Sequence, residues 1–263
     1  MIEISKEKYN KVKHLLDYVS GDKVFAYSII ENNQSGTVYV NNEQDITSAV
    51  FWHNCGYSLL AEAEPNSDSI PFIISLFDKK HPLSAKAQVL QVDNEDLRNK
   101  IENEVENDKS IRKGIRQQFR FNRSRYKSEL FPTPDGCRIV QIDNHLYPSI
   151  KGNVIPSFSW ASEEEFLRNG AGFLLMKEDD FLSLGFSFFI GNGQLDIGVE
   201  TPPRHRKNGY AKITASAVIK YCLENDLEPI WACVKENIST RKLALSLGFE
   251  LVAENSYYYR LQR

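Results

Sequence analysis

The sequence predicts an α/β protein whose strands form a mixed sheet, and its second half carries most of this prediction. There a turn at Gly191-Asn192-Gly193 links two strand-like runs, and the segment that follows alternates helix, apolar strand and helix up to a last strand at 249–260. The chain of 263 residues is 41% hydrophobic and 25% charged, so it has ample material for a buried core.

Two prolines and an Asp-Gly pair mark a break between the halves, at Phe131-Pro132-Thr133-Pro134-Asp135-Gly136. Such residues end regular elements and favour turns. We therefore predict two domains, an N-terminal α+β domain over residues 1–131 and a C-terminal domain over residues 132–263.

The first half is expected to begin with an amphipathic helix from Lys6, which ends at Gly21. A β-hairpin is predicted next, and a helix capped by Asn94 is predicted further along. The predicted strands of this half are 48–53, 57–62, 87–92 and 116–126, and its later helices are 67–77 and 94–108.

The second half follows a clearer order. Ser162 is a helix N-cap followed by three glutamates, which predicts a short helix ending near Gly170. The predicted strands are 137–142, 172–176, 184–190, 195–201, 229–234 and 249–260, and the two later helices are 208–225 and 239–247.

Composition and charge narrow the class of function. The formal net charge of −3 does not indicate a nucleic-acid partner, and no run approaches the roughly 20 apolar residues of a membrane-spanning helix. The N-terminus lacks a basic region followed by an apolar run, so no signal peptide is expected. The four cysteines are dispersed, which indicates reduced thiols in a cytoplasmic protein and no metal site.

The segment that joins the strand 195–201 to the next helix has the features of an anion site. Arg206 and Lys207 precede Asn208 and Gly209, and Gly209 lets a bulky anion approach the backbone. The first turn of a helix has unpaired N–H groups and the positive end of the helix dipole, which suit a pyrophosphate. An ordinary strand-to-helix turn with solvated charges explains the same features equally well.

Several short motifs in this half occur at the spacing found in a known protein family. Arg206-x-x-Gly209-x-Ala211 resembles the Q/R-x-x-G-x-G/A motif of the GNAT acetyltransferases, and Thr201-x-Pro203 resembles the segment that precedes it. Downstream, Asn237-x-x-Thr240 and Leu247-Gly248-Phe249 resemble the start of that family's last helix and its closing motif. Within the family, the chain is similar to zwittermicin A resistance-like proteins.

The resemblance implies an acetyl-CoA site in the C-terminal half. The strand 197–200 would splay from 230–234, pantetheine would pair with the free edge, and an N–H near Val199 would polarise the thioester carbonyl. Asn237 would contact pantetheine or start the last helix. The residues implied to bind acetyl-CoA are Val199, Thr201, Arg206, Lys207, Asn208, Gly209, Tyr210, Ala211 and Asn237.

Acetylation of an amine also requires a base, and Asp196 and Glu200 share one face of the strand. Glu200 is the first candidate and Asp196 the reserve, although a solvated strand residue explains Glu200 as well. Many family members place a tyrosine seven residues after the asparagine to protonate the departing thiolate. This sequence has Ala244 there, so its general acid is not identified.

The first half faintly repeats the same order of elements, with 57–62, 67–77 and 87–92 as counterparts of the later strand, helix and strand. Its joining loop, residues 64–69, has no glycine and two acids, so it should not bind coenzyme A. A degenerate GNAT-like half and an unrelated α+β domain both remain open.

Three functions fit these observations. The first is transfer of an acetyl group from acetyl-CoA to a primary amine of a small molecule. The second is a catalytically inactive CoA-binding sensor or scaffold, which the absence of the tyrosine at 244 favours. The third is a tandem acyl- or aminoacyltransferase acting on a peptide or tRNA-linked substrate. No motif identifies the acceptor or the oligomeric state, and the loop 144–159 is expected to contribute to acceptor specificity.

Overall fold

The computed structural model describes residues 1–64, 66–77 and 88–260, apart from the side chains of residues 104–107 and 130. The chain forms two compact units. The first contains Met1–Arg116 and the C-terminal segment from Ala253, and the second is Gln117–Val252. These units do not follow the division at 131/132, because two long strands cross from one unit into the other. The predicted division into domains stays a prediction.

In the first unit, a 3-10 helix (Lys6–Tyr18) and α1 precede a run of strands, and α2 and α3 flank β5. The strands are β1 (Ile2–Glu3), β2 (Gly36–Val40), β3 (Ser48–His53), β4 (Tyr57–Glu62), β5 (Val89–Gln91) and β6 (Ile111–Phe121). The α-helices are α1 (Val24–Ile30), α2 (Ser69–Leu76) and α3 (Glu95–Asn107).

Most predicted elements of the first half are present. The hairpin is correct to the residue, because Asn54-Cys55-Gly56 forms its turn with Gly56 at φ +92°. Asn94 caps α3 by accepting a hydrogen bond from the N–H of Leu97 at 2.9 Å. The strand expected at 116–126 is displaced to Ile111–Phe121, and residue 87 of the expected strand 87–92 lies outside the described residues.

The second unit contains a sheet with helices packed along it. Its strands are β7 (Cys137–Gln141), β8 (Gly172–Lys177), β9 (Asp180–Gly191), β10 (Gln194–Glu200), β11 (Glu228–Val234) and β12 (Phe249–Arg260), of which β12 ends in the first unit. Its α-helices are α4 (Pro156–Ser159), α5 (Glu163–Asn169), α6 (Tyr210–Glu224) and α7 (Ile238–Ser246). Three short 3-10 turns are Ser128–Leu130, Tyr147–Ser149 and Pro203–His205.

Both units use one order of elements around a parallel pair of strands. In the first unit, antiparallel β2, β3 and β4 lead through α2 to β5, which is parallel to β4. In the second unit, antiparallel β8, β9 and β10 lead through α6 to β11, which is parallel to β10. The strand that closes each repeat leaves the unit in which it begins, and residues 257–259 of β12 pair with β5. The first half is therefore a second copy of the same arrangement.

The segment between β10 and α6, which contains the predicted anion site, is called the anion loop. Close packing against β9 fixes the position of α6, the helix that follows this loop. A Cβ atom at Gly185 of β9 would lie 2.6 Å from the carbonyl oxygen of Thr214, so a glycine is needed where the helix crosses the strand. Buried Val218, Ile219 and Cys222 form the inner face of α6.

Two further findings concern the chemical environment of the chain. The cysteines Cys55, Cys137, Cys222 and Cys233 are all free thiols, and all but Cys137 are buried. None of the helices within 1–64, 66–77 and 88–260 combines the length and apolar character needed to cross a membrane.

Candidate functional site

The parallel strands β10 and β11 separate part of the way along their length. Gln194, Leu195 and Asp196 pair with residues 228–230, and within the described chain the pairing goes no further, although both strands continue. At the same point a bulge on the other side of β10 shifts the register with β9, so Asp196 opposes Phe189 and Ile197 opposes Ser187. A bulge bends a strand, and here it coincides with the start of the gap. The predicted splay is confirmed.

The loop after β10 has an unusual backbone at two of the predicted residues. Lys207 has φ +68° and Gly209 has φ +80°, both left-handed conformations. A left-handed lysine costs roughly 1 kcal/mol, and strain of this kind is often retained at functional sites. Around Gly209 there is no atom within 4 Å of the position a Cβ would take. The space in front of the loop is therefore open, as an approaching anion requires.

Several N–H groups face this space without partners. In the described part of the chain, the backbone N–H groups of residues 207–211 form no hydrogen bonds. They lead into the first turn of α6, a helix of 15 residues with its positive dipole end at Tyr210. Unpaired donors and a helix dipole are the two features that suit a phosphate or pyrophosphate. Among the predicted ligands, Lys207, Asn208, Gly209, Tyr210 and Ala211 are thus brought together.

The side chains of the loop divide between two tasks. The Arg206 side chain is 58% exposed, its Nε donates to the carbonyl oxygen of Thr201 at 3.0 Å, and its Nη2 lies 3.7 Å from Oε1 of Glu200. Arg204 and His205 instead pair with Asp180 at the start of β9, with His205 Nε2 3.0 Å from Asp180 Oδ2. His205 is therefore an anchor of the loop. Arg206 and Lys207 are the cations left for an anionic ligand.

Hydrogen bonds between hydroxyl groups connect the start of the anion loop to β9 and α6. Ser183 Oγ lies 2.9 Å from the hydroxyl of Thr201 and 3.2 Å from that of Thr214 on α6. The hydroxyl of Ser183 also donates to the carbonyl oxygen of Glu200 at 3.3 Å. Thr201, a predicted ligand, thus supports the loop from behind.

Glu200 ends β10 beside the gap, and its carboxylate is almost fully engaged. The residue is 9% exposed. Oε2 accepts hydrogen bonds from the backbone N–H groups of Asn153 at 3.3 Å and Val154 at 2.9 Å, and Oε1 lies 3.7 Å from Nη2 of Arg206. A buried carboxylate needs such partners. Glu200 therefore contacts both the anion loop and the loop 144–159, which is predicted to contribute to acceptor specificity.

The remaining predicted residues are placed as follows. Asp196 is 2% exposed at the start of the gap, and Val199 is half-buried on the free part of β10. Asn237 starts α7, since its side-chain oxygen accepts a hydrogen bond from the N–H of Thr240 at 3.1 Å. Ala244, at the position of the missing tyrosine, is fully buried on the same helix.

Sequence reasoning missed the groups that hold these residues. Asn153 and Val154 contact Glu200 from 47 and 46 positions away, and Asp180 holds the loop from a strand 24 positions before it. The Gly152-Asn153 pair predicts only a turn, and an aspartate after a turn predicts nothing about its partner. Only the tertiary structure identifies these contacts.

The corresponding place in the first unit has different contacts. Asn94 Nδ2 donates to Glu62 at 3.2 Å, which joins the end of β4 to the start of α3 across the space beyond β5. The register of β3 and β4 runs without a bulge, and the N–H of Asp68 at the start of α2 is bonded to the side chain of Asn66 at 2.8 Å. In the described part of this unit, the start of α2 therefore differs from the start of α6, because the N–H of Asp68 there is already bonded.

Comparisons with known proteins agree with this geometry. A family model described as GNAT acetyltransferase matches residues 13–258. The chain is 25% identical over 262 residues to YdfB of Bacillus subtilis, named an uncharacterized N-acetyltransferase, with 98% of this chain and 97% of that one covered.

Solved structures share the fold over the whole length. A GCN5-related N-acetyltransferase-like protein from Streptococcus suis has a TM-score of 0.75 at 21% identity, covering 97% of this chain and 99% of its own. A tandem GNAT protein from the clavulanic acid biosynthesis pathway has a TM-score of 0.63 at 10% identity, covering 98% and 97%. The expected GNAT fold is thereby confirmed, and its repetition in the first half matches a tandem architecture.

Among the described residues, no cluster of three or more His, Cys, Asp or Glu side chains is placed to hold a metal ion.

The closer resemblance to zwittermicin A resistance-like proteins stays a prediction. The match of the family model over nearly the whole length establishes that the chain belongs to the GNAT acetyltransferase family and is an N-acetyltransferase.

Proposed function

We propose that the protein transfers an acetyl group from acetyl-CoA directly to a primary amine of a small molecule. The observation that carries this proposal is the set of free N–H groups over residues 207–211, at the end of the gap between β10 and β11. A pyrophosphate on these donors leaves the free edge of β10 for the pantetheine arm, which pairs with it as an extra strand.

The residues proposed to hold acetyl-CoA fit its charges. The backbone from Lys207 to Ala211 binds the pyrophosphate, and the exposed cations of Arg206 and Lys207 add attraction. The N–H of Val199 polarises the thioester carbonyl. Thr201 and Asn237 support the site through the loop and the start of α7.

The chemistry requires one proton to leave the acceptor before attack. Acetyl-CoA supplies an activated acetyl thioester, and the neutral amine forms the new C–N bond as the C–S bond breaks. The second proton lost by the nitrogen then passes to the departing thiolate, which leaves as the free thiol of coenzyme A. A carboxylate on β10 takes the proton, Glu200 first and Asp196 in reserve. Because Ala244 is buried and apolar, the departing thiolate takes no proton from that position.

Direct transfer is supported by the state of the two buried cysteines in the second half of the chain. Burial raises the pKa of the Cys222 thiol on α6 to about 12, so it is protonated at neutral pH and a poor nucleophile. Cys233 on β11 is only 5% exposed. A covalent acetyl-cysteine intermediate at Cys222 is therefore disfavoured, and the amine attacks the thioester itself.

The acceptor is proposed to be a small amine reached through the acceptor loop, which we define as residues 144–159. The net charge of −3 favours a small acceptor over tRNA. The free cysteines are consistent with the proposed cytoplasmic location.

Calorimetric titration with acetyl-CoA tests the donor site. We expect micromolar binding with one molecule per chain, because the loop of the second unit has unpaired N–H donors, whereas the corresponding loop 64–69 of the first unit has two acids and no glycine. Two molecules per chain would contradict the expectation that the first unit does not bind acetyl-CoA. No binding by a folded protein would overturn the proposal, and binding without thiol release in an amine-library screen would favour a CoA-binding sensor.

A pH–rate comparison tests the base. Glu200→Gln is expected to lower turnover by at least about tenfold and to remove the acidic limb of the profile, since base catalysis contributes roughly 10²–10⁴-fold. Asp196→Asn, in the same assay, tests the reserve candidate. A Glu200→Gln profile with the limb of the unchanged protein would exclude Glu200 as the base, and a limb lost only in Asp196→Asn would assign the role to Asp196.

A further inference from the structure

The middle of the acceptor loop has one anchor in the described structure. Residues 151–154 are exposed, and their only hydrogen bonds within the described part of the chain are those of Asn153 and Val154 to the carboxylate of Glu200. The flanks are fixed separately, because Phe158 packs on Phe188 at 5.7 Å between ring centroids. The position of 151–154 therefore depends on Glu200.

The contact between the loop and Glu200 is also tight. A Cβ atom at Gly152 would lie 2.8 Å from Cγ of Glu200, closer than side chains tolerate, and Gly152 has φ +155°. Only glycine readily adopts this φ angle and also leaves room for the Glu200 side chain to lie so close to its Cα. The loop thus touches Glu200 by packing as well as by hydrogen bonds.

Glu200 is in turn connected to the anion loop. Its Oε1 lies 3.7 Å from Nη2 of Arg206, the cation proposed to attract the pyrophosphate, while its Oε2 serves the acceptor loop. Side-chain exposure is 58% for Arg206 and 10% for Glu200, so the arginine is the partner able to turn toward a ligand. One carboxylate thereby joins the two loops.

We propose that Glu200 is a positioning residue, which latches segment 151–154 of the acceptor loop to the end of β10. The latch fixes Val154, a 39% exposed apolar side chain, beside the gap before the acceptor arrives. The role of this latch in catalysis rests on the proposed function, whereas the contact itself is present in the unliganded protein. Holding the loop and accepting the proton are separate roles of one carboxylate, and a measurement made without substrate reports only the first.

Amide hydrogen exchange of the unliganded protein, followed by NMR, tests the latch. In Glu200→Ala, the amides of Asn153 and Val154 are expected to exchange at least about tenfold faster, because hydrogen bonds to a charged acceptor are among the stronger ones. Glu200→Gln should restore part of the protection, since its neutral oxygen still accepts. Glu164→Ala on α5, which removes an 84% exposed carboxylate, is the matched control and should change neither amide.

Gly152→Ala perturbs the same contact from the opposite side and leaves the carboxylate in place. The same two amides should exchange faster, and this variant decides the question if Glu200→Ala does not fold. Unchanged exchange at Asn153 and Val154 in a folded Glu200→Ala or Gly152→Ala protein would overturn the latch. Since no acetyl-CoA is present, this failure is distinct from a failure to bind the donor.

Discussion

Gly209→Glu is expected to abolish acetyl-CoA binding in a protein that still folds. The new side chain would enter the open space before the N–H groups of residues 207–211, where no atom lies within 4 Å of the Cβ position. Its carboxylate would repel a pyrophosphate, and its bulk would separate the phosphate oxygens from the donors. Losing two charge-assisted hydrogen bonds of about 1.5 kcal/mol each lowers affinity by at least about a hundredfold.

The matched control for this variant is Gly193→Glu. Gly193 has φ +69° against +80° for Gly209, and its Cβ position is likewise free of neighbours within 4 Å. The control therefore adds the same charge and a similar backbone strain in the turn between β9 and β10, away from the anion loop. Calorimetry should show near-normal acetyl-CoA affinity for Gly193→Glu. Equal affinity of the two variants for acetyl-CoA would remove the loop as the binding site.

The local elements of the second half could be predicted because each has a chemical signal at its ends. Ser162 accepts the N–H of Glu165 at 3.1 Å, as its N-cap pattern predicts, and Asn237 starts α7 in the same way. The strand 249–260 is correct to the residue. The anion loop stays a prediction, which could be made from the sequence because it depends only on neighbouring residues in one turn.

Elements without such signals were missed. α1, residues Val24–Ile30, is buried at every position, so its sequence lacks the polar face that reveals an amphipathic helix. The helix predicted from Lys6 forms as a 3-10 helix, although Val12, Leu15 and Leu16 are fully buried as its spacing predicts. Periodicity identified the buried face there, but it did not determine the hydrogen-bond pattern.

The pairing of strands that are distant in sequence could not be predicted, for a different reason. The pairing of Tyr257, Tyr258 and Tyr259 with β5 joins residues about 170 positions apart, and no turn between them fixes the register. For the same reason, the contacts of Glu200 with Asn153 and Val154 could not be derived from either segment. The sequence predicts that Glu200 lies near the thioester, and the structure identifies the residues that Glu200 contacts.

Gly185→Ala is expected to destabilise the second unit by about 3 kcal/mol, at the upper end of what overpacking usually costs. The added methyl would lie 2.6 Å from the carbonyl oxygen of Thr214 and 2.7 Å from its carbonyl carbon. These are backbone atoms of α6, which cannot rotate away as a side chain does. The helix must therefore move from β9, and its N-terminus carries the anion loop with it.

Chemical denaturation and acetyl-CoA titration together check this expectation. Both the free energy of unfolding and the affinity for acetyl-CoA should fall in Gly185→Ala. Gly172→Ala on β8 is the control, because its nearest neighbour would be the terminal methyl of Ile142 at 2.5 Å, a side-chain end that can shift. Equal losses of stability in the two variants would show that the contact of α6 with β9 is adaptable. A loss confined to Gly185→Ala, with weakened binding, would show that this backbone contact sets the position of the donor site.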